Sequence, residues 1–594
     1  MNRILFLLLL PALIFSQETL TDLSLNPKLL NVDWSSNSSK PILSLPFIDD
    51  FSYDSPLVDN DLWEKSSVFV NRTYPINPPT IGVATFDGLD EYGLARDFSQ
   101  SSLSAPSDTL LSKTIDLGGV DSAYFLFFYQ PKGIGDQPQV SDSLILEFKD
   151  INGNWDMVWH NICDTVINDF RKKVIILKSS DYLASSFQFR FRNYATISGN
   201  FDHWHIDYVK LDEFIAPIDI VELNDMSFVY NSPSFLKRYS EMPWTHFLNY
   251  EMSELKDSID IILRNNNASI NVDYQYTIFE YNNPYYYYPT SGPRNESVLD
   301  YDLTGNFSFT NPPIDIQSNV FTSFQTSDTT TFIIKNIINT APSDNKSNDT
   351  LNHMQNFHYY FSYDDGIAES AYGINVNGAK LAYEFKLNRP DTLRAVQMYF
   401  PQMLDSVNDI DFNLTIWKDI NGMPGDTLYS QTVSPVHSTN GSFHTYYIDR
   451  PFRIVGTFYV GWEQNTSDLL NIGFDKNNEA NQYMFYNVGS GWNTSAYPGS
   501  WMIRPIVSQD AIISTISEKR EYSRIYPNPS SEIIMIETQA CSNVSIYNAQ
   551  GVLVKKLRTS IPITGVNISD LSPSVYFVEI ISKDERRCQK MIVE

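Results

Sequence analysis

Hydrophobic and polar positions alternate with a period of two along most of the chain. In "SFQFRFRNY", Phe187, Phe189 and Phe191 fall on one face, and Gln188, Arg190 and Arg192 on the other. "DSLILEF" and "DFNLTIW" repeat the pattern. Strands of this kind lay one face on a core and turn the other to solvent. Turn signals punctuate them: "INGNW" at 151–155, "INGMPG" at 420–425 and "AQG" at 549–551. No amphipathic helix of more than a few turns stands out. The pattern predicts an all-β protein with tandem β-sandwiches as its architecture.

Composition sets the boundaries. At 594 residues the chain is too long for one core, and length suggests roughly four domains. Residues 1–16 read as a secretory signal peptide. Arg3 supplies the positive start, Ile4 to Phe15 the short apolar stretch, and Ser16 a small residue before Gln17. That stretch is too short to span a bilayer. Residues 17–45 read as irregular, 46–213 as a jelly-roll-like sandwich, and 217–340 as an Ig-like sandwich. A polar linker is expected at 341–356, a second jelly-roll-like sandwich at 357–508, a linker at 509–524 and a small sandwich at 525–594.

Charge narrows the partners. The net charge of −28, from 42 basic and 70 acidic residues, disfavours nucleic acid and anionic lipid and permits calcium. Three cysteines, Cys163, Cys541 and Cys588, do not make a disulfide framework. A Cys541–Cys588 pair and three small buried hydrophobes are equally open readings.

Candidate chemistry is sparse. On a strand, His203, His205 and Asp207 share one face, opposite Trp204, Ile206 and Tyr208, and three such ligands suit a transition metal. The bland alternative is a half-exposed sheet face. Acidic turns at Asp49–Asp50, at Asp87, Asp90 and Glu91 around Gly88, and at Asp364–Asp365 before Gly366 are calcium candidates. Local Asp turns explain them equally well. "YYYYP" at 285–289 and "WNTSAYPGSW" at 492–501 are candidate sugar platforms. Neither G-x-S-x-G nor H-E-x-x-H occurs, no cysteine nucleophile signature is present, and no catalytic residue is assigned. A glycosidase, needing only two carboxylates, stays open.

The last seventy residues resemble the C-terminal sorting domain of the type IX secretion system of Bacteroidetes. The resemblance rests on Tyr526-Pro527-Asn528-Pro529, "SIYNAQGVLVKK" with Gly551, "ISDLSPSVYFVEI" with Tyr576, and the closing "QKMIV" with Lys590. Ser574 stands where that family usually has Gly. The resemblance implies export by that machinery, cleavage of the tag in the connector between Ser508 and Arg524, and release or surface anchoring. "FIDDFS", "PPTIGVATFDGLDEYG", "FFYQPKGIGDQP" and "NFDHWHIDYVKL" resemble MAM and cleaved-adhesin jelly rolls, which often carry a structural calcium. "YDDGIAESAYG", "GTFYVGW" and "GSWMIRP" are similar to segments of other exported proteins of that phylum. Asp-Ser/Thr-apolar triplets, as at Asp108 and Asp142, resemble an O-glycosylation motif of such proteins. The expected function is non-enzymatic adhesion, with glycan or protein binding. The alternatives are an extracellular glycan-directed hydrolase and a structural surface component.

Overall fold

The computed structural model describes residues 18–30, 32, 42–99, 103–163, 169–220, 223–280, 283–311, 321, 329–340, 344–402, 410–438, 441–507, 524–526, 528–531, 533–537, 543–559, 563–581 and 586–593. The expected signal peptide, nearly all of the 509–524 connector, Pro527 and Cys541 lie outside them. The chain divides into two compact units, residues 1–509 and 510–594. Both are antiparallel β-structure, and each α-helix among the described residues is a single turn. None of those helices is long and apolar enough to cross a membrane.

The larger unit begins with a two-sheet sandwich. One sheet runs Arg171–Leu177, Ala123–Pro131, Trp204–Glu213, Val83–Phe86, Phe69–Asn71, with Phe47–Asp49 also on Trp204–Glu213. The other runs Trp63–Ser66, Ser104–Ser112, Phe189–Thr196, Ser143–Lys149, Trp155–Ile162. Their inward side chains share one core. Phe189 anchors it, with ring centroids 4.6 Å from Phe125, 5.2 Å from Phe47 and 5.6 Å from Trp63. On the outer face Arg190 and Arg192 both pair with Glu147, so the alternation in the sequence sorts the two faces as expected.

One failure of the alternation matters for the His-Asp motif. Tyr208 has φ +52°, and pairing with Ala123–Pro131 shifts register between Asp207 and Lys210. This β-bulge turns Tyr208 to the opposite side from Trp204 and Ile206. Tyr208 packs with Val83, Tyr124, Leu126 and Phe128 instead. Val209 and Leu211 resume the inner face.

The next two sandwiches share a single core. Ile259–Asn265 lies between Met226–Phe228 and Phe307–Asn311, and Ile270–Glu280 pairs with Thr330–Asn339. The stretch 341–356, expected to be a linker, instead supplies most of the strand Thr350–Phe357, paired along Thr330–Asn339. Its inward positions include the polar Gln355 beside Leu351 and Phe357, which is why the run read as loop. Tyr239 then bridges onward, 4.9 Å from both Phe361 and Tyr363.

The last sandwich of this unit has a six-stranded sheet in which Lys380–Lys386 and Phe412–Ile420 flank Thr457–Gln464. A four-stranded sheet begins with Glu18–Thr21, followed by Ser370–Ile374, Ile472–Asp475 and Ser500–Trp501. The segment 17–45 therefore contributes a strand where irregular chain was expected. Only four residues long and mostly polar, Glu18–Thr21 shows too little alternation to read as one. Glu18 is nevertheless buried, accepting from Tyr372 Oη at 2.6 Å. The segment then crosses to the first sandwich, where Asn200 N donates to Leu23 O at 3.0 Å and Asn26 N to Gly93 O at 2.8 Å.

The smaller unit packs Arg524–Tyr526, Ile533–Glu537 and Ile563–Asn567 as one sheet and Leu553–Arg558, Asn543–Asn548, Ser574–Ile581 and Arg586–Val593 as the other. Ile534, Ile546, Val578 and Met591 are among the residues of its core. Cys588 is exposed, as a free thiol.

Candidate functional site

Three groups of residues bear on function: the C-terminal motif, the metal candidates and a pocket in the larger unit.

In the C-terminal unit Asn528 closes the fold. Its Oδ1 accepts from Ile592 N at 2.8 Å, and its Nδ2 donates to Lys590 O at 2.7 Å. Ser530 N adds a bond to Ile592 O at 3.1 Å. The side-chain amide thus pairs with the last strand as a peptide group would, satisfying an edge that would otherwise be bare. Lys590 enters through its carbonyl, while its side chain is exposed. Tyr576 is buried and donates to Ser572 O at 2.9 Å, fixing the turn that begins its strand. Gly551 sits at φ +77° in the hairpin after Asn543–Asn548, where Gly551 N donates to Asn548 O at 2.9 Å. Asn548 Oδ1 accepts from Gln550 N and Val552 N, at 3.0 and 2.9 Å. Tyr526 and Asn528 flank Pro527, so the motif enters the sheet at Arg524–Tyr526 and locks it at the last strand.

The His-Asp motif is buried and held by protein contacts, except at His203 Nε2, which has no hydrogen-bond partner among the described residues. His203 Nδ1 accepts from Asp136 N at 2.9 Å. His205 Nδ1 lies 2.8 Å from Thr85 Oγ1, and its Nε2 lies 3.1 Å from Lys132 O. Burial lowers both imidazoles, His205 to about 4. Tyr74 stacks on His203 at 5.0 Å. Asp207 accepts from Thr80 N at 2.9 Å and from Thr80 Oγ1, and burial raises its carboxyl. The three residues hold the Tyr74 and Thr80 loops against the sheet.

The acidic turns are likewise engaged by protein donors. Asp49 accepts from Trp63 Nε1 at 2.6 Å and Phe51 N at 3.0 Å, and burial pushes its carboxyl up to about 7. Asp50 Oδ2 takes Asn345 Nδ2, Ser347 Oγ and Asn348 Nδ2 at 2.8, 3.0 and 3.1 Å, tying the first sandwich to the second. Asp87 is raised to about 8 by burial and by neighbouring Asp108, while Asp90 Oδ1 accepts from Tyr92 N and Leu94 N within a turn. Asp364 forms a two-point pair with Arg504 Nε and Nη2. Asp365 Oδ1 accepts from Ile367 N at 2.9 Å. Among the described residues no group of three His, Cys, Asp or Glu is arranged to hold a metal ion.

Of the aromatic stretches, Trp501 is core, with no exposure. Trp492 is half-buried on Trp417 at 5.6 Å, beside Tyr459, whose Oη lies 2.9 Å from Asp419 Oδ1. Tyr287 is 47% exposed and its three tyrosine neighbours are half-buried.

A pocket of about 220 Å³ opens where the N-terminal segment crosses between the first and last sandwiches of the larger unit. Leu25, Phe69, Tyr74 and Ile367 form apolar walls, and Lys28 lies at its exposed side. Asn200 and Tyr399 line it, and both are nearly fully buried. Among the described residues neither Asn200 Oδ1 nor Tyr399 Oη has a hydrogen-bond partner. Buried polar atoms are normally paired, so two unpaired ones on one cavity make it a candidate binding site. Sequence reading missed this site because its residues come from six separated stretches, and neither an Asn after Gly nor a Tyr between two strands signals binding.

Comparison with known proteins separates the two units. Distant structural likenesses include the glycoside hydrolase domain of Endo-D from Streptococcus pneumoniae R6 (10% identity, 53% of this chain and 43% of that one, TM-score 0.19). Another is the CBM22 tandem of Xyn10C from Paenibacillus barcinonensis (8%, 73% and 99%, TM-score 0.19). A third is PorZ, a surface component of the type IX secretion system of Porphyromonas gingivalis (9%, 71% and 67%, TM-score 0.13). At these scores they carry no functional argument. No curated protein matches the chain. Residues 524–594 match the family model described as the secretion system C-terminal sorting domain. The chain carries a type IX secretion sorting domain at its C-terminus, which directs export to the cell surface or the medium.

Proposed function

We propose that the larger unit is the exported cargo and works as a non-enzymatic binding factor, holding a glycan or protein at or beyond the cell surface. The supporting observation is the pocket between the N-terminal segment and two sandwiches. Pockets at such junctions, mostly apolar with a few unpaired polar groups, are the usual form of small-ligand sites. An adhesion factor needs no more than a cavity, and this one is set where loops of two sandwiches meet the N-terminal segment. The N-terminal signal peptide and passage through the periplasm belong to the same proposal, since the sorting domain acts on chains already beyond the inner membrane.

A glycan array together with a polysaccharide hydrolysis screen on the exported protein tests this reading. Retention of a ligand without turnover is the expected result. Turnover with no retained ligand would overturn it in favour of a glycan-directed hydrolase.

A further inference from the structure

Resting on the binding reading above, we propose that the pocket lined by Asn200 and Tyr399 receives one neutral pyranose ring, such as the terminal unit of a glycan. Four observations lead there. The cavity, about 220 Å³, falls below the roughly 300–1,000 Å³ of sites for drug-sized ligands, so it suits a single ring. Its walls are apolar and aromatic, from Leu25, Phe69, Tyr74 and Ile367, which suits the C–H faces of a sugar.

The unpaired polar atoms come from opposite sides of the junction. Asn200 follows the strand Phe189–Thr196 of the first sandwich, and Tyr399 follows Asp391–Met398 of the last. A guest must therefore offer a donor to an amide oxygen on one wall and a hydrogen-bonding group to a phenol on another. A polyol ring does both, with separate hydroxyls for the two walls. Burial raises the Tyr399 hydroxyl, so it stays protonated and able to donate.

Charge excludes the other guests. Among the described residues no carboxylate lines the pocket, so a cation finds no ion-pair partner there. Among the described residues Lys28 is the one cation there and is exposed, so an anion would gain little from it. The N-terminal segment also matters to access: Leu23 O, bonded to Asn200 N, holds the amide-bearing residue in place.

The test uses the mature full-length protein and saturation-transfer NMR with glucose, galactose, mannose and N-acetylglucosamine as probes. Transfer to at least one sugar is expected. Tyr399→Phe keeps the ring and removes only the hydroxyl, and should weaken that sugar's binding roughly threefold to tenfold with melting unchanged. Ala368→Trp, which fills the cavity, should abolish it. Transfer to none of the four sugars overturns the proposal, as does transfer to N-acetyl-tyrosine amide alone. Array retention unaffected by both Tyr399→Phe and Ala368→Trp would overturn the pocket assignment while sparing the adhesion reading. Array retention by neither wild type nor variants, with no sugar transfer, would overturn both.

Discussion

Asn528 pairs through its side-chain amide with the backbone around Ile592, accepting from Ile592 N at 2.8 Å and donating to Lys590 O at 2.7 Å. The sorting motif and the closing strand, more than sixty residues apart, are thus one structural element. Asn528→Ala removes both bonds and leaves two backbone groups to water. A loss of about 1–2 kcal/mol in the stability of the sorting module is expected. The amide of Ile592 in the full-length protein should lose hydrogen-exchange protection, with less effect for Asn528→Asp, which keeps the acceptor.

Gly551 tests the hairpin separately. At φ +77° any Cβ is strained, although nothing lies within 4 Å of where it would sit. Gly551→Ala should therefore lower module stability by about 1 kcal/mol through backbone conformation alone, read as a shift in its denaturation midpoint. An unchanged midpoint would remove the hairpin from the reasons for a glycine at this position.

Arg504 and Asp364 form a buried pair inside the larger unit, and Arg504 also stacks on Phe443 at 4.0 Å and donates to Tyr360 Oη at 3.1 Å. Arg504→Met removes the ion-pair partner of Asp364 and leaves its buried carboxyl with Ser362 Oγ and Gly366 N, at 2.9 and 3.0 Å. Destabilisation of about 3–5 kcal/mol is expected at neutral pH, measured by denaturant unfolding. Recovery in the double variant with Asp364→Asn would locate the loss in the stranded charge.

Glu369 gives the larger unit a pH dependence of known sign. It is buried near Asp365 and Asp475, with Lys476 N donating to its Oε2 at 3.0 Å. Burial first, and then the Asp365 charge, push its carboxyl up to about 8. Asp365 is raised to about 6, and Asp475 is raised as well. A carboxyl raised in the folded state binds more protons folded than unfolded. Its contribution is full below the unfolded value near 4.5 and is lost as pH rises toward 8. The unit should melt at a higher temperature at pH 5 than at pH 8. Glu369→Gln should narrow that difference in melting temperature, because it removes the proton uptake of this carboxyl between pH 5 and 8. A wild-type melting curve that rises with pH across this window would contradict the burial of these groups.

The fold was legible where alternation was long and its inward positions apolar. Phe187, Phe189 and Phe191 against Arg190 and Arg192 place a strand and both its faces. It was not legible where buried polar groups took inward positions, as Gln355 does in Thr350–Phe357, or where a strand had four residues, as Glu18–Thr21 has. Tyr208 shows a third limit: a bulge moves a side chain between faces without changing the letters around it. The sorting motif could be read as residues, but the role of Asn528 depends on a strand that returns to it from the far end of the module. Asn200 and Tyr399 carry no local signal, since only the fold brings them to one cavity.

The most direct test concerns the C-terminal address itself. The protein lacking residues 524–594, expressed in a cell with a working type IX machinery, should fold and accumulate in the periplasm. The same residues fused behind a signal peptide and a fluorescent reporter should bring the reporter to the surface or the medium. Normal surface delivery of the truncated protein would contradict the assignment of this module as the export address.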